Sequence, residues 1–211
     1  MRPTRLTAIA ILPFAIACAP AADETAAPAV AAGEASAPTQ QAEPPSLVVD
    51  FGAEGDTSWF AQNDTVMGGV SEGIVDYTSA SFVFEGYVST ENNGGFASVR
   101  SPYDTWNLSK LDTLVVRYRS TGQPFTLTMA DTPNWWEGEF RYDLAGTDGE
   151  WVEEEIALSD FEFWGFNGGY SEPTGEFMRR PDRKAVVTIQ FMSKQFEDGD
   201  FVLEVDHLSF W

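Results

Sequence analysis

The residues of this 211-residue chain that could do chemistry are mostly carboxylates, since Asp and Glu number 33 while there is one His and one Cys. One Cys excludes an internal disulfide, and together with one His it excludes the usual zinc sites. Glycoside hydrolysis remains, because it needs only two acids facing each other about 5 to 9 Å apart. The candidate acids are Glu137, Glu139, Glu153, Glu154 and Glu155.

These acids do not indicate a catalytic pair. Glu153 to Glu155 fall on a predicted strand, where successive side chains point to opposite faces, so at least two of them are predicted to be solvated. His207 stands beside Asp206, but no Ser or thiol nucleophile accompanies it in a known motif, which favours a structural histidine. We therefore expect that the protein is not an enzyme.

The charge excludes another class of function. Lys and Arg number 12, and the formal net charge is -21. A surface this acidic repels phosphate backbones and anionic headgroups. We expect no nucleic-acid partner and no membrane contact other than through an anchor.

The N-terminus carries a predicted anchor. Arg2 and Arg5 precede an apolar run over residues 6–17, which is too short to span a bilayer as a helix and is typical of a secretory signal. The run ends at Cys18, and its small residues resemble the lipobox of bacterial lipoproteins, so residues 1–18 are predicted to be a signal peptide with lipidation at Cys18. The alternatives are an ordinary signal cleaved nearby, which would leave a free thiol, and a buried core cysteine. We expect a lipid-anchored protein of the bacterial cell envelope, and Ala19 after the cysteine favours the outer membrane or the periplasmic face.

Residues 19–46 are predicted to be a disordered linker. They consist largely of Ala, Pro, Glu, Thr and Gln, with scarcely any large apolar side chain. Such a segment cannot bury enough surface to offset its ordering entropy. As a coil it would reach roughly 30 Å, enough to hold a domain clear of a membrane.

Residues 47–211 are predicted to form an all-β domain. Apolar and polar residues alternate, as in Phe125, Leu127 and Met129, and Gly, Pro, Asn and Asp separate the alternating runs. About nine strands without an internal repeat favour a jelly-roll β-sandwich, and the helical signal is limited to a turn near Leu108–Leu111. The predicted strands are residues 47–51, 81–89, 96–101, 113–120, 125–130, 138–143, 151–158, 185–193 and 200–210.

Two Gly-rich segments are the most unusual local sequences. Residues 63–71 read NDTVMGGVS, and residues 89–100 read STENNGGFASVR. Paired glycines allow a positive φ or a close approach of backbone, and Asn-Asp pairs favour turns. We predict that Asn63–Ser71 and Glu91–Phe96 are shaped loops that lie side by side.

These segments closely resemble the signature motifs of the CIA30 family, named for the complex I intermediate-associated protein of mitochondria. Trp59 ahead of the first loop and residues 84–86 between the loops match as well, and the resemblance continues in residues 108–112, Trp151 and residues 201–206. It covers nearly all of residues 47–211. It implies a galactose-binding-like jelly roll and, in the mitochondrial members, a non-catalytic assembly factor for respiratory complex I.

The resemblance implies a protein-binding module with a protein partner in or near the membrane. We expect it to assemble or stabilise a membrane complex. A lipidated protein lies across the membrane from the arm of complex I where assembly mostly occurs, so the fold transfers to this chain better than the complex I role. The candidate binding residues of the two loops are Asn63, Asp64, Met67, Gly68, Gly69, Ser71, Glu91, Asn92, Gly94, Gly95 and Phe96.

The alternative function is a carbohydrate- or small-ligand-binding module. Sandwiches of this kind often bind sugars on aromatic rings flanked by amides, and Trp135, Trp136 and Trp164 are a possible platform. Core packing or contact with a protein partner is favoured for these rings, because large aromatic residues are common filler of a sandwich core.

The fold that the resemblance implies also bears on cofactors. Many galactose-binding-like sandwiches hold a structural Ca²⁺ between the first and last strands, where Asp50 and Asp206 stand here. The chain has no loop of closely spaced acids, which favours ordinary surface or turn carboxylates at both positions. No other cofactor is expected.

Overall fold

The computed structural model describes residues 44–167, 170–173, 182–193 and 197–211. These residues form two antiparallel β-sheets, which confirms the predicted all-β jelly-roll sandwich. The predicted signal peptide, Cys18 and all but the last three residues of the predicted linker lie outside the described residues. No helix within the described ranges is long and apolar enough to cross a membrane.

Thirteen strands and four short 3-10 helices make up the described part of the chain. The strands are β1 Leu47–Asp50, β2 Phe60–Asn63, β3 Glu72–Tyr77, β4 Phe82–Val88, β5 Ala97–Arg100, β6 Thr113–Gly122, β7 Phe125–Ala130, β8 Glu139–Asp143, β9 Val152–Ala157, β10 Glu162–Asn167, β11 Tyr170–Pro173, β12 Thr188–Ser193 and β13 Gly199–Phe210. The 3-10 helices are Asp64–Met67, Glu91–Asn93, Trp135–Glu137 and Leu158–Asp160.

The strands divide between a six-stranded and a seven-stranded sheet. The first has the order β3-β4-β13-β6-β9, with β1 also paired to β13, and the second has the order β11-β10-β8-β7-β12-β5-β2. The core lies between them, because one side chain in two of each central strand points inward. Phe82, Phe84, Phe191 and Phe201 are at most 1% exposed there. Each such aromatic contributes about 1.5 to 3 kcal/mol by burial.

All nine predicted strands are present with small shifts at their ends, and four further strands are β2, β3, β10 and β11. In β3 the residue without a side chain points inward and the large apolar residue points outward: Gly73 is buried, while Ile74 is exposed. The reason is the Phe84 ring, which leaves no room for a larger side chain at Gly73: a Cβ there would lie 2.8 Å from it. The turn predicted near Leu108 is present, closed by the Leu111 N–H donating to the Leu108 carbonyl at 3.1 Å.

The topology brings the two Gly-rich loops together. β2 is the edge strand of the seven-stranded sheet and β3 that of the six-stranded sheet, so the loop between them crosses from one sheet to the other. The loop between β4 and β5 crosses back one strand further in. Both crossings therefore lie at the same edge of the sandwich.

Candidate functional site

Asp64 connects the two loops and is only 1% exposed. Its carboxylate accepts hydrogen bonds from the Ser71 N–H at 3.0 Å and the Ser71 hydroxyl at 2.6 Å. It also accepts from the Gly95 N–H at 2.7 Å and the Phe96 N–H at 3.3 Å in the other loop. A buried carboxylate is tolerated when charged hydrogen bonds of this kind replace its hydration. We call Asp64, Ser71, Gly95 and Phe96 the Asp64 network.

Glycines leave room for this carboxylate. A Cβ at Gly69 would lie 2.3 Å from the Asp64 carboxyl carbon, and one at Gly94 would lie 2.5 Å from Oδ2. Gly68 serves a different purpose, since its φ of +90° closes the 3-10 helix in a left-handed conformation. Of the two predicted reasons for glycine, a positive φ or a close approach, Gly94 shows the second, because its φ is -71° and Asp64 lies against it.

The second loop is shaped by two asparagines and a serine. Asn92 and Asn93 have φ of +57° and +61°, a conformation that Asn tolerates better than other residues with a side chain. Ser71 adds a further connection, since its hydroxyl accepts from the Ser89 N–H at 3.0 Å. Ser89 opens the second Gly-rich segment but is not among the candidate binding residues, because a serine at a strand end carries no signal of such a contact.

The predicted binding residues divide into an inner and an outer set. Asp64, Ser71 and Gly95 are buried, so they shape the loops and do not face a partner. Met67 is 73% exposed, and Glu91 and Asn92 are also on the surface. The remaining predicted members are buried Gly69, exposed Gly68, half-buried Gly94 and Phe96, and Asn63, whose amide donates to the Gly73 carbonyl at 3.1 Å. Val70 is a further surface residue of the first loop and is 42% exposed. We call the exposed residues Met67, Val70, Glu91 and Asn92 of the two loops the rim.

The three residues of the predicted aromatic platform lie on two elements of the structure, a 3-10 helix and β10. Trp135 and Trp136 are 63% and 57% exposed and meet edge to face at 5.8 Å. The core-packing interpretation is therefore wrong for both, because they lie in a short connection between β7 and β8 instead of on an inward strand position. Trp164 lies on β10, where the Arg141 guanidinium stacks over its ring at 4.8 Å.

The predicted metal ligands have other neighbours. Asp206 accepts from the Arg117 Nε at 2.8 Å and lies 3.4 Å from the His207 Nδ1, while Asp50 stands opposite His207 in the β1–β13 pair. A Ca²⁺ ion requires six to eight oxygen ligands. Within the described ranges no group of three or more His, Cys, Asp or Glu side chains is arranged to hold a metal.

Of the candidate acids, Glu139 and Glu154 occupy well-defined polar networks. Glu139 forms an ion pair with buried Arg141 at 2.7 Å and accepts from the Gln190 amide at 3.0 Å. Glu154 accepts from the Tyr118 hydroxyl at 2.5 Å and the Tyr142 hydroxyl at 3.0 Å. Its neighbours in β9 are exposed, so the prediction that at least two of Glu153 to Glu155 are solvated is confirmed.

We call Glu154, Tyr118 and Tyr142 the Glu154 network. The network shifts the pKa of both tyrosines. Burial, followed by the hydrogen bond to Glu154, raises the pKa of Tyr118 far above its ordinary value. Burial and the same carboxylate also raise the pKa of Tyr142. Both phenols are therefore held protonated as donors. Alternation alone could have found Glu154, since it shares a strand face with inward Ile156.

Two solved structures of similar fold are carbohydrate-binding modules. The family 11 carbohydrate-binding module of the cellulosomal cellulase Lic26A-Cel5E of Clostridium thermocellum is 16% identical, with a TM-score of 0.55 over 80% of this chain and 95% of that chain. A family 11 module from Clostridium thermocellum in complex with a β-1,3-1,4-mixed-linked tetrasaccharide is also 16% identical, with a TM-score of 0.51 over 74% and 91%. At this identity the likeness shows the fold alone.

Sequence comparison gives the family. Among curated proteins the comparison found no match. The model of the family described as complex I intermediate-associated protein 30 matches residues 49–205, which include both Gly-rich loops and the Asp64 network. This match spans most of the chain and confirms the predicted resemblance. The chain belongs to the CIA30 family.

Proposed function

We propose that the domain is a protein-binding module that assembles or stabilises a membrane complex of the bacterial envelope. The observation that carries the proposal is the Asp64 network, which fixes two loops of the family's signature at one edge of the sandwich. A rim of fixed backbone lets a partner bind without first ordering the loops.

The side chains on the rim fit a protein partner. Met67 is 73% exposed and Val70 is 42% exposed, while acidic Glu91 and the Asn92 amide lie on the second loop. Methionine adapts its shape to different surfaces, and a small apolar centre with polar surroundings is the usual anatomy of an interface. The chain's charge of -21 further favours a partner surface that carries basic residues.

The proposal includes no catalytic step. Support comes from two of the candidate acids, whose carboxylates already bind other side chains. Glu139 pairs with Arg141 and Gln190, and Glu154 accepts hydrogen bonds from two tyrosines. A general acid or nucleophile must instead face a substrate across a cleft.

The proposed location is the cell envelope, with the domain anchored through a lipid on Cys18. The support is the apolar run that ends at this cysteine and the Ala- and Pro-rich segment that follows. Cys18→Ser should release the folded domain into the soluble envelope fraction. Retention of this variant in salt-washed membranes would contradict the anchor and leave the binding proposal standing.

Crosslinked pull-down from membranes tests the binding proposal. The wild-type protein should recover a defined set of envelope proteins, and Met67→Lys should lose them, because the substitution puts a charge in place of the most exposed apolar side chain of the two loops. Val48→Lys is the matched control, since Val48 is 48% exposed but lies on β1 outside both loops. Recovery of complex I subunits would identify the finer role that the family's name suggests.

An equal recovery by wild type, Met67→Lys and Val48→Lys would contradict the rim as the binding surface. The recovery of partners by the two variants is compared with that of wild type only when both variants are folded. Thermal unfolding of both variants should match wild type, because each exposed side chain contributes little to the core.

Carbohydrate binding is the second candidate function, and the exposure of Trp135 and Trp136 favours it. Exposed indole rings are a common surface for sugar rings, and the solved modules that share the fold include one in complex with a tetrasaccharide. Titration with that mixed-linked tetrasaccharide, followed by tryptophan fluorescence, should saturate below millimolar ligand if the site is worth more than about 4 kcal/mol. Loss of the response in Trp135→Ala would assign it to this connection.

A further inference from the structure

Arg100 differs from the other described arginines in the groups that it contacts. Arg117, Arg119, Arg141 and Arg183 each form an ion pair with a carboxylate. Over residues 44–167, 170–173, 182–193 and 197–211, no carboxylate lies within ion-pair distance of Arg100, although Asp and Glu number 33 in the chain. No carboxylate of those residues neutralises this guanidinium, and the nearby Glu139 contacts its cross-strand partner Gln190 instead.

The contacts of Arg100 are all with neutral groups. Its Nη1 donates to the Gln62 Oε1 at 2.8 Å, and its Nη2 lies 3.5 Å from the Thr188 Oγ1. The guanidinium stacks on the Tyr103 ring at 4.6 Å. Its Nε is buried without a hydrogen-bond partner. Two of the five N–H donors are therefore engaged, and the planar end of the side chain keeps further donors available.

The sheet places this arginine among polar side chains on the outer face. Phe60 and Gln190 are its cross-strand partners in β2 and β12, and all three point away from the core because Val99 points into it. The next outward residue of β12 is Thr188. Donors and acceptors of amide, hydroxyl and guanidinium type thus lie side by side on three neighbouring strands, over two strand spacings or roughly 10 Å.

Two aromatic rings border these polar groups and are open to solvent. Tyr103 is 57% exposed and Phe60 is 44% exposed. An apolar ring face beside convergent neutral donors and acceptors matches a sugar, whose ring carries C–H groups on its faces and hydroxyls at its rim.

We propose that Arg100, Gln62, Thr188, Tyr103 and Phe60 form a subsite for a neutral glycan. The proposal rests on the second candidate function and places its ligand at a site distinct from Trp135 and Trp136. Neutral sugar is favoured over acidic sugar because the net charge of -21 repels a polyanion before it reaches the single arginine. Neighbouring hydroxyls of one sugar would accept from the two Nη groups, and the ring would lie against an aromatic neighbour.

Calorimetric titration of the full chain with three defined oligosaccharides tests the proposal. The probes are the β-1,3-1,4-mixed-linked glucotetraose, β-1,4-galactotriose and the acidic trigalacturonate. At least one neutral probe should bind and trigalacturonate should not. Arg100→Ala and Tyr103→Ala should each weaken binding roughly tenfold or more, and Arg100→Lys should also weaken it because a lysine lacks the planar fork.

Tyr87→Ala is the matched control, since Tyr87 is a 43% exposed tyrosine on the six-stranded sheet and should leave binding unchanged. Tyr103→Ala keeps the test valid if Arg100→Ala fails to fold, because Tyr103 lies in an exposed connection. Binding of a neutral probe that both variants leave intact would overturn this subsite but not the carbohydrate function. Binding of trigalacturonate alone would overturn the neutral class, and binding of no probe would overturn subsite and carbohydrate function together.

Discussion

A carboxylate lies at each of two opposite edges of the sandwich. The two carboxylates differ in the groups that donate hydrogen bonds to them. At the β2–β3 edge, Asp64 accepts three backbone N–H groups and one hydroxyl. At the β9 edge, Glu154 accepts two phenolic hydroxyls and, among the described residues, one backbone N–H, from Ala145 at 3.4 Å. The first network therefore fixes the path of two loops, while the second connects side chains.

The kind of donor decides how each edge tolerates substitution. A phenol can be replaced without moving the backbone, whereas a backbone N–H that loses its acceptor stays where it is and remains unsatisfied. The Asp64 network also requires glycines at 69 and 94, because any Cβ there would overlap the carboxylate. Glu154 imposes no such requirement on its neighbours. Because the Asp64 network depends on the backbone path of two loops and on glycines at fixed positions, many residues at this edge are specified. This explains why the signature sequence is long and specific on that side.

Removal of the Asp64 carboxylate should have the largest effect. Asp64→Ala leaves the Gly95 and Phe96 N–H groups without their acceptor and should lower the free energy of unfolding by about 3 kcal/mol or more. Asp64→Asn retains one acceptor oxygen and should cost less. Urea denaturation followed by fluorescence measures both. A loss below about 1 kcal/mol for Asp64→Ala would show that the loops do not depend on this network.

Substitution of the glycines should have the next largest effect. Gly94→Val forces a side chain against the Asp64 Oδ2 and the Ser89 carbonyl, and should cost about 2 to 3 kcal/mol. Gly68→Val should cost about 1 to 3 kcal/mol through its positive φ alone. Gly146→Val is the control, since a Cβ there meets nothing within 4 Å. If Gly94→Val is no worse than the control, the close approach has no energetic consequence.

The same comparison shows what the sequence could and could not predict. The position of both loops was predictable because Gly-Gly and Asn-Asp signals act locally, between residues a few positions apart. The partner of Asp64 was not, because Gly95 is 31 residues away and its N–H leaves no signature in side-chain chemistry. Strands with inward apolar residues were predictable, and β3 was missed because a neighbouring phenylalanine requires Gly73.

Arg100 illustrates the same limit at a candidate ligand site. The sequence places it at the end of a predicted strand but does not show that its cross-strand neighbours are Phe60 and Gln190. Pairing between strands distant in the chain decides which side chains converge. Trp135 and Trp136 show a second limit: the sequence left core packing and contact with a protein partner both open for them, and the 3-10 connection exposes both rings.

Loss of a phenol from the Glu154 network should have a modest effect. Tyr142→Phe removes one hydrogen bond to a half-buried carboxylate and should cost about 1 kcal/mol. Glu154→Gln should cost a similar amount, and a double-mutant cycle of the two should give a coupling energy of at least about 0.5 kcal/mol. Additive losses would mean that the two side chains do not act together. A combined cost as large as that of Asp64→Ala would remove the difference between the edges.

The smallest effect concerns alkaline pH. The pKa of Tyr118 is raised in the folded state by burial and by Glu154, so the unfolded chain loses this proton first, near its ordinary pKa of about 10. The stability that the protonated phenol contributes is therefore complete below about pH 10 and declines as the pH rises above it. Between about pH 8 and about pH 10.5 the loss should be below about 1 kcal/mol per tyrosine. Tyr77, whose pKa burial raises to about 12, should add a decline of the same sign.

Urea denaturation over this pH range measures the decline, and Tyr118→Phe should make it shallower. Asp64→Asn should leave the slope unchanged, because the Asp64 network contains no tyrosine. Hydrogen exchange would localise the effect, since amide protection should fall at β9 before it falls in the two Gly-rich loops. Equal loss of protection at β9 and in the two Gly-rich loops, or a slope that Tyr118→Phe does not alter, would contradict the assignment of the Tyr118 part of the alkaline sensitivity to the Glu154 network.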